Sequence, residues 1–149
     1  MTFELAFSLI NLSVMPAWAL LIIFPHGSIT KTLVHSMLYP LVLGLVYAVG
    51  LGFAIFGGLG AEESGFTTIA AVRALFSTDM GLLVGWTHYL VFDLFVGAWE
   101  ARDARRRGFR HWLLIPCLLF TFMFGPLGLL LYVILRSVTR KGGWRLREA

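Results

Sequence analysis

Long apolar runs separated by short polar stretches make up most of the sequence. Four such runs occur, at residues 3–24, 33–58, 80–99 and 111–135. A helix rises about 1.5 Å per residue, so about 20 apolar residues cross the roughly 30 Å hydrocarbon core of a bilayer. The pattern therefore predicts an all-α fold, an integral membrane bundle of about four transmembrane helices. We expect a single domain at 1–136, followed by a basic polar tail at 137–149.

Three polar stretches separate the apolar runs. Residues 25–31 have the composition of a turn, and residues 100–110 that of an arginine-rich loop. Residues 59–79 are too polar to span a membrane, and they predict a loop followed by a short amphipathic helix at the membrane surface.

The composition supports a protein that faces lipid. Hydrophobic residues make up 58% of the 149-residue chain and charged residues only 13%. A soluble domain of this size does not bury so much apolar surface. The one cysteine, Cys117, lies in an apolar run, so no disulfide forms within the chain.

The net charge of +4 comes from basic clusters that flank the apolar runs, chiefly at 102–110 and 136–147. Such clusters are expected to meet anionic lipid headgroups, and nucleic acid is excluded as a partner because no stacking platform lies between them. With four spans the basic residues divide six against six, so they do not fix the orientation. A re-entrant fourth segment turning at Gly125 would place both clusters on one side. A single span is favoured, because the run at 111–135 is long enough to cross once.

An aspartate in the third apolar run is the first candidate for function. An ionisable side chain at membrane depth costs about 3 kcal/mol on insertion scales, unless it is paired, hydrated or facing protein. Asp93 is therefore either a proton donor or acceptor, or a structural residue bonded to a tyrosine, a backbone amide or Asn11. Other residues on its stripe of the predicted helix are Trp86, Tyr89, Gly97 and Glu100.

Two further polar residues in apolar runs have alternative interpretations. His88 lies about 140° around the helix from Asp93, so the two side chains are expected to face different crevices. His88 is a base, a metal ligand or a packed histidine with one hydrogen bond, and the last is the simplest interpretation. No second histidine or cysteine stands at metal-ligand spacing, so no metal site is expected. Asn11 either joins helices or orients a ligand oxygen, and Trp86 is expected to anchor its helix at the membrane boundary.

Three strings of the sequence resemble the abscisic-acid-deficient-four-like family. They are NLSVMPAW at 11–18, GWTHYLVFDLFVG at 85–97 and TFMFGPLGLLLY at 121–132. The resemblance covers nearly the whole chain apart from 52–65 and the tail, and it implies a small integral membrane protein of about four helices. Because the plant members are neoxanthin synthases, it also implies conversion of violaxanthin to neoxanthin, an isomerisation of an epoxide to an allenic alcohol.

The implied isomerisation assigns candidate roles. It needs an acid for the epoxide oxygen, a base for a vinylic proton, and aromatic faces without water around the cation between these steps. Asp93 is the candidate acid with Tyr89 as its partner, and His88 is the candidate base. The candidate substrate-binding residues are Asn11, for the hydroxyl end of the ring, and Trp86, Phe92 and Phe124, for the polyene. No cofactor is expected, since an isomerisation needs no redox partner.

Two other functions stay open. One is a non-catalytic carotenoid- or lipid-binding accessory protein that works as a homo-oligomer or with a membrane enzyme. The other, a proton or ion pathway, is disfavoured because it would need more aligned ionisable groups than one aspartate and one histidine. For the isomerase and for the accessory protein, the expected ligand is a lipophilic small molecule, a carotenoid or another isoprenoid. No plastid-type leader precedes the first run, which predicts a protein of the bacterial inner membrane.

Overall fold

The computed structural model describes residues 2–142, and this part of the chain contains α-helices and no strand. The helices are α1 (Phe3–Ile23), α2 (Ser28–Leu33), α3 (Leu38–Phe56), α4 (Ile69–Leu75), α5 (Asp79–Arg106), α6 (His111–Phe124) and α7 (Pro126–Val138). The predicted all-α class is confirmed. Of the predicted tail, residues 143–149 lie outside the described part of the chain.

Three of these helices, α1, α3 and α5, are long and apolar enough to cross a membrane. The chain is accordingly a membrane protein. The short helix α4 falls within the 59–79 stretch, and the Thr68 side chain caps its first turn by accepting a hydrogen bond from the Ala71 amide at 3.1 Å. α5 has 28 residues and continues through Arg106, where the sequence predicts a charged loop. The helix persists there because its acidic residues have partners on α6 and α7.

The fourth predicted span is divided in the structure. α6 has 14 residues and α7 has 13, so each is about 20 Å long and shorter than the roughly 30 Å hydrocarbon core. They join at Gly125, whose φ of 49° is accessible mainly to glycine. The helices pack against each other so closely that a Cβ on Gly128 would collide with the Thr121 backbone. The segment is therefore a helical hairpin in this structure, whereas its length predicts one continuous helix across the membrane.

The chain divides into two compact units. The first unit comprises residues 2–14 and Tyr39–Val91, and the second comprises Met15–Leu38 and residues 92–142. The continuous helix α5 contributes its first half to one unit and its second half to the other. The single domain that the sequence predicts at 1–136 stays a prediction.

In the first unit, small residues let α3, α4 and α5 approach closely. A Cβ on Gly50 of α3 would lie 3.0 Å from the Val84 side chain of α5. At the residue after Val84, a Cβ on Gly85 would collide with the Phe76 ring, which follows α4. Because both glycines lack a side chain, the α3 backbone lies against Val84 and the α5 backbone lies against Phe76.

In the second unit, the second half of α1 packs against α5 and α6. The ring of Trp18 lies over Gly97, where an added Cβ would be 2.6 Å from it, and its centroid is 5.3 Å from that of Phe122. Leu21, Leu94 and Leu118 are buried in the same unit. This apolar packing surrounds the polar groups of α5 that are described below.

Candidate functional site

A cleft of about 690 Å³ lies in the first unit, among α3, the loop after it, and α5. Cavities that hold small ligands are typically about 300–1,000 Å³ and mostly apolar. This one has four side chains that can form hydrogen bonds, those of Tyr47, Glu62, Ser64 and His88. The rest of its lining is apolar, including Leu51, Ile55, Phe66, Leu75, Phe76 and Val84. A lipophilic molecule with a few polar groups suits such a cleft.

His88 is the predicted site residue that the structure places in this cleft. Its side chain is exposed, and its ring centroid lies 5.6 Å from that of Tyr47 on α3. Both interpretations from sequence, a base and a packed histidine with one hydrogen bond, therefore stay open. An imidazole beside a phenol at the wall of an apolar cleft can take up or give a proton.

Three other predicted residues also lie together in the first unit. The Trp86 indole Nε1 donates a hydrogen bond to Asn11 Oδ1 at 2.9 Å, which joins α1 to α5. The Trp86 ring lies between Phe7 and Tyr89, with centroid distances of 5.6 and 5.3 Å. This arrangement favours the interpretation in which Asn11 joins helices, since its side-chain oxygen already accepts a hydrogen bond.

Asp93 lies in the second unit, near the middle of α5, and it is only 8% exposed. Its carboxyl group is next to Gly125, where an added Cβ would lie 2.5 Å from Asp93 Oδ1. Gly125 is the N-cap of α7, and the first amide N–H groups of a helix lack partners within it. A carboxylate at this end is favourable because the helix dipole is positive there. Asp93 therefore faces a neighbouring helix, as a structural aspartate would, and its burial agrees with either predicted role.

A second carboxyl group lies two turns further along α5. Glu100 is fully buried, and both of its carboxyl oxygens are within 3.0–3.1 Å of the Thr121 hydroxyl on α6. No cation of the described residues lies within ion-pair distance of it. The sequence places Glu100 on the same stripe as Asp93, but its partner is 21 residues away and could not be predicted.

A third carboxyl group, Asp103, holds α7 against α5. Its Oδ2 accepts hydrogen bonds from the Tyr132 hydroxyl at 2.6 Å and from Arg107 Nε at 2.7 Å. Arg136 Nη1 is 3.4 Å from the same oxygen, and its guanidinium lies 5.9 Å from the ring centroid of Trp99. Because Arg136 is only 1% exposed, this cluster compensates a charge that would be costly to bury alone.

Two predicted substrate-binding residues are exposed and lie outside the cleft. Phe92 is 55% exposed, and Phe124 is 57% exposed with its ring against that of Phe120. Tyr47 and Glu62, which do line the cleft, were not predicted. Within residues 2–142, no three histidine, cysteine, aspartate or glutamate side chains are grouped so that they could hold a metal ion.

These features define an all-α membrane protein with an apolar cleft beside the first half of α5 and buried carboxyl groups along the second half. The family model described as ABA DEFICIENT 4-like matches residues 5–132. The chain therefore belongs to the ABA DEFICIENT 4-like family, as the resemblance of its three strings predicts.

A curated relative gives a second comparison. The chain is similar to the protein ABA DEFICIENT 4, chloroplastic, of Arabidopsis thaliana, with 24% identity over 132 residues. The match covers 85% of this chain and 58% of the plant protein, so the chain spans less than two thirds of its relative's length. No solved structure matches the chain.

Proposed function

We propose that this protein binds a carotenoid or a related isoprenoid within the membrane and isomerises it, opening an epoxide to an allenic alcohol. The family membership supports the class of molecule. The observation that carries the proposal is the apolar cleft of the first unit with His88 and Tyr47 at its wall.

The cleft suits one end of a long lipophilic molecule. With a ligand bound, its mostly apolar lining would keep water from a cationic intermediate. Phe66 and Phe76 present aromatic rings to the same space, and such rings stabilise a nearby positive charge by about 1–2 kcal/mol when desolvated. Glu62 and Ser64 are polar groups that suit a ring hydroxyl.

The reaction needs one proton placed on the epoxide oxygen and one removed from carbon, so protons and electrons balance without a cofactor. We assign the removal of the carbon-bound proton to His88, because its imidazole lines the cleft and imidazole is the commonest general base in enzymes. Tyr47 and Glu62 are the groups of the same cleft that can supply the proton to oxygen. Asp93, the acid that the sequence predicts, stays a prediction, and in the second unit its carboxyl group lies against Gly125.

A second candidate function is binding without turnover. It is favoured by the different surroundings of the predicted base and acid, since His88 lines the cleft and the Asp93 carboxyl group lies against Gly125. A non-catalytic protein would hold the pigment for another membrane enzyme. The predicted bacterial inner membrane and a membrane-enzyme or homo-oligomeric partner likewise stay predictions.

Expression in a bacterial host that makes the epoxidised carotenoid tests the proposal. We expect the wild-type chain to yield a pigment of unchanged mass and altered absorption spectrum. His88→Gln should reduce this conversion at least about a hundredfold, the usual contribution of a general base. Tyr47→Phe should reduce the conversion as well. Tyr39→Phe is the matched control: it also removes a tyrosine hydroxyl from α3, but outside the cleft, and should leave the conversion unchanged.

Two outcomes of this experiment separate the candidates. Wild-type protein that is folded in the membrane but leaves the pigment unchanged contradicts the isomerase. If the wild-type protein still co-purifies with the unaltered pigment, and the His88→Gln variant does not, the binding function is supported instead of the isomerase. Absence of both conversion and co-purification contradicts both candidates.

A further inference from the structure

Basic side chains gather at one end of the second unit. His26 follows α1, Lys31 lies in α2, Arg102 and Arg105 lie in the last turns of α5, and His111 begins α6. The ring centroids of His26 and His111 are 6.3 Å apart. Arg105 is close enough to influence the charge of both His26 and His35. We name five of these side chains the cationic patch: His26, Lys31, His35, Arg105 and His111.

The histidines of the patch are held in place by the backbone. His111 Nε2 lies 2.7 Å from the Ile22 carbonyl oxygen, and His35 Nε2 lies 2.9 Å from that of Pro25. A ring nitrogen that bonds to a carbonyl carries its proton, so the other nitrogen of a neutral ring is an acceptor. His35 Nδ1 is buried and has no hydrogen-bond partner among the described residues. Protonation would turn this atom into a donor.

Among the described residues, the charged groups that act on His26 and His35 are all basic. Arg105, His111 and Lys31 act on His26, and Arg102, His26 and Arg105 act on His35. Burial, together with the positive charge of Arg105, lowers the pKa of His26, and burial is also the main cause that lowers the pKa of His35. Bringing an anion to the patch would oppose this effect.

Two described acidic residues of the second unit, Glu100 and Asp103, do not supply that anion. The carboxyl group of Asp103 bonds to Arg107 and Tyr132, and that of Glu100 to Thr121. Neither of them is among the groups that act on His26 or His35.

The patch also lies where headgroups are found. Its residues directly follow α1 and end α5, two helices that are long and apolar enough to cross the membrane. Basic groups immediately outside a span lie at the level of the phosphate groups, and each contributes about 1 kcal/mol of attraction to an anionic surface.

We propose that the cationic patch binds the phosphate group of an anionic lipid. Arg105 and Lys31, which are exposed, meet the phosphate, and His26 and His35 add to binding when they are protonated. By linkage, an anion that favours the protonated rings binds more tightly as the pH falls through the range in which histidine titrates. This site is independent of the cleft and of any turnover there.

Native mass spectrometry of the full chain tests this site. The protein is released in the spectrometer from micelles that contain equal amounts of phosphatidylglycerol and phosphatidylcholine, and the lipid that stays bound is identified. We expect phosphatidylglycerol to be retained preferentially, and Arg105→Gln to weaken its retention about fivefold. Arg73→Gln, which removes an exposed arginine outside the patch, should leave retention unchanged. Lowering the pH from about 7.5 to about 5.5 should strengthen retention, and a double His26→Gln, His35→Gln variant should lose this increase.

Three results would overturn the proposal. The first is equal retention of the two lipids by the wild-type chain. The second is an equal loss in Arg105→Gln and Arg73→Gln, which would reflect net charge rather than a site. The third is displacement of phosphatidylglycerol by an equal concentration of glycerol phosphate, which would assign the patch to a soluble phosphate compound instead of a lipid.

Discussion

The polar residues in the two halves of α5 differ in their exposure. In the first half, Trp86 is 39% exposed and His88 is exposed at the wall of an apolar cleft. In the second half, Asp93, Glu100 and Asp103 are 8% exposed or less. Each of these three carboxyl groups lies against α6, α7 or the turn between them.

This difference shows that an ionisable residue at membrane depth has two separate explanations. A buried carboxyl group is tolerated when neighbouring helices supply hydrogen-bond donors or the positive ends of helix dipoles, and it then holds those helices together. A polar side chain that borders a cleft is available to a ligand. We therefore assign the chemistry to the half of α5 that carries His88 and the packing of the hairpin to the half that carries Asp93.

The largest expected effect concerns the path of the hairpin. Arg107 Nη1 donates a hydrogen bond to the Lys141 carbonyl oxygen at 3.1 Å, so the chain leaves α7 at the same end of the second unit at which it enters α6. In sealed vesicles, cysteines introduced at Arg110 and Arg140 should react with an impermeant maleimide from the same side. The native Cys117 is buried and should stay unlabelled. Labelling of the two positions from opposite sides would show that residues 111–135 cross the membrane once.

The next largest effect concerns the cluster around Asp103. Asp103→Leu should lower the free energy of unfolding by about 3 kcal/mol, because it leaves Arg136 buried without this carboxylate. Thermal denaturation in detergent measures the loss, and Arg110→Gln, at an exposed arginine, is the control. Asp103→Leu combined with Arg136→Met should be more stable than Asp103→Leu alone, since no buried charge is left behind. If Asp103→Leu is as stable as Arg110→Gln, the cluster does not have the stabilising role described here.

A smaller effect is expected from the contact between α6 and α7. Gly128→Ala should destabilise the protein by about 2 kcal/mol, because its Cβ meets the Thr121 backbone and the helices must separate. Gly44→Ala is the matched control, since a Cβ there meets nothing within 4 Å. Equal denaturation midpoints for these two variants would show that the hairpin is looser than described.

Much of the fold could be predicted from sequence because it depends on local pattern. The lengths of the apolar runs predict α1, α3 and the first part of α5, and polar composition predicts the short α4. The hairpin could not be predicted, because Gly125 at its turn packs against Asp93, which lies 32 residues earlier on another helix. Similarly, α5 continues past residue 99 because Asp103 bonds to Tyr132, 29 residues further on.

The candidate site was predicted less completely. His88, Asp93 and Asn11 are candidates from sequence because each is polar within an apolar run. Their surroundings depend on pairs that are distant in sequence, such as Asn11 with Trp86, 75 residues apart. Tyr47 gave no signal, since a tyrosine in an apolar run is ordinary until a histidine is found beside it.

The division of labour along α5 is tested most directly by comparing His88→Gln with Asp93→Asn. For each variant, pigment conversion is measured per folded molecule in membranes where the wild-type chain converts the epoxide. We predict that His88→Gln folds normally and loses conversion, whereas Asp93→Asn keeps its conversion per folded molecule. Loss of conversion in Asp93→Asn with no loss in His88→Gln would contradict this assignment and place the chemistry on the buried carboxyl group.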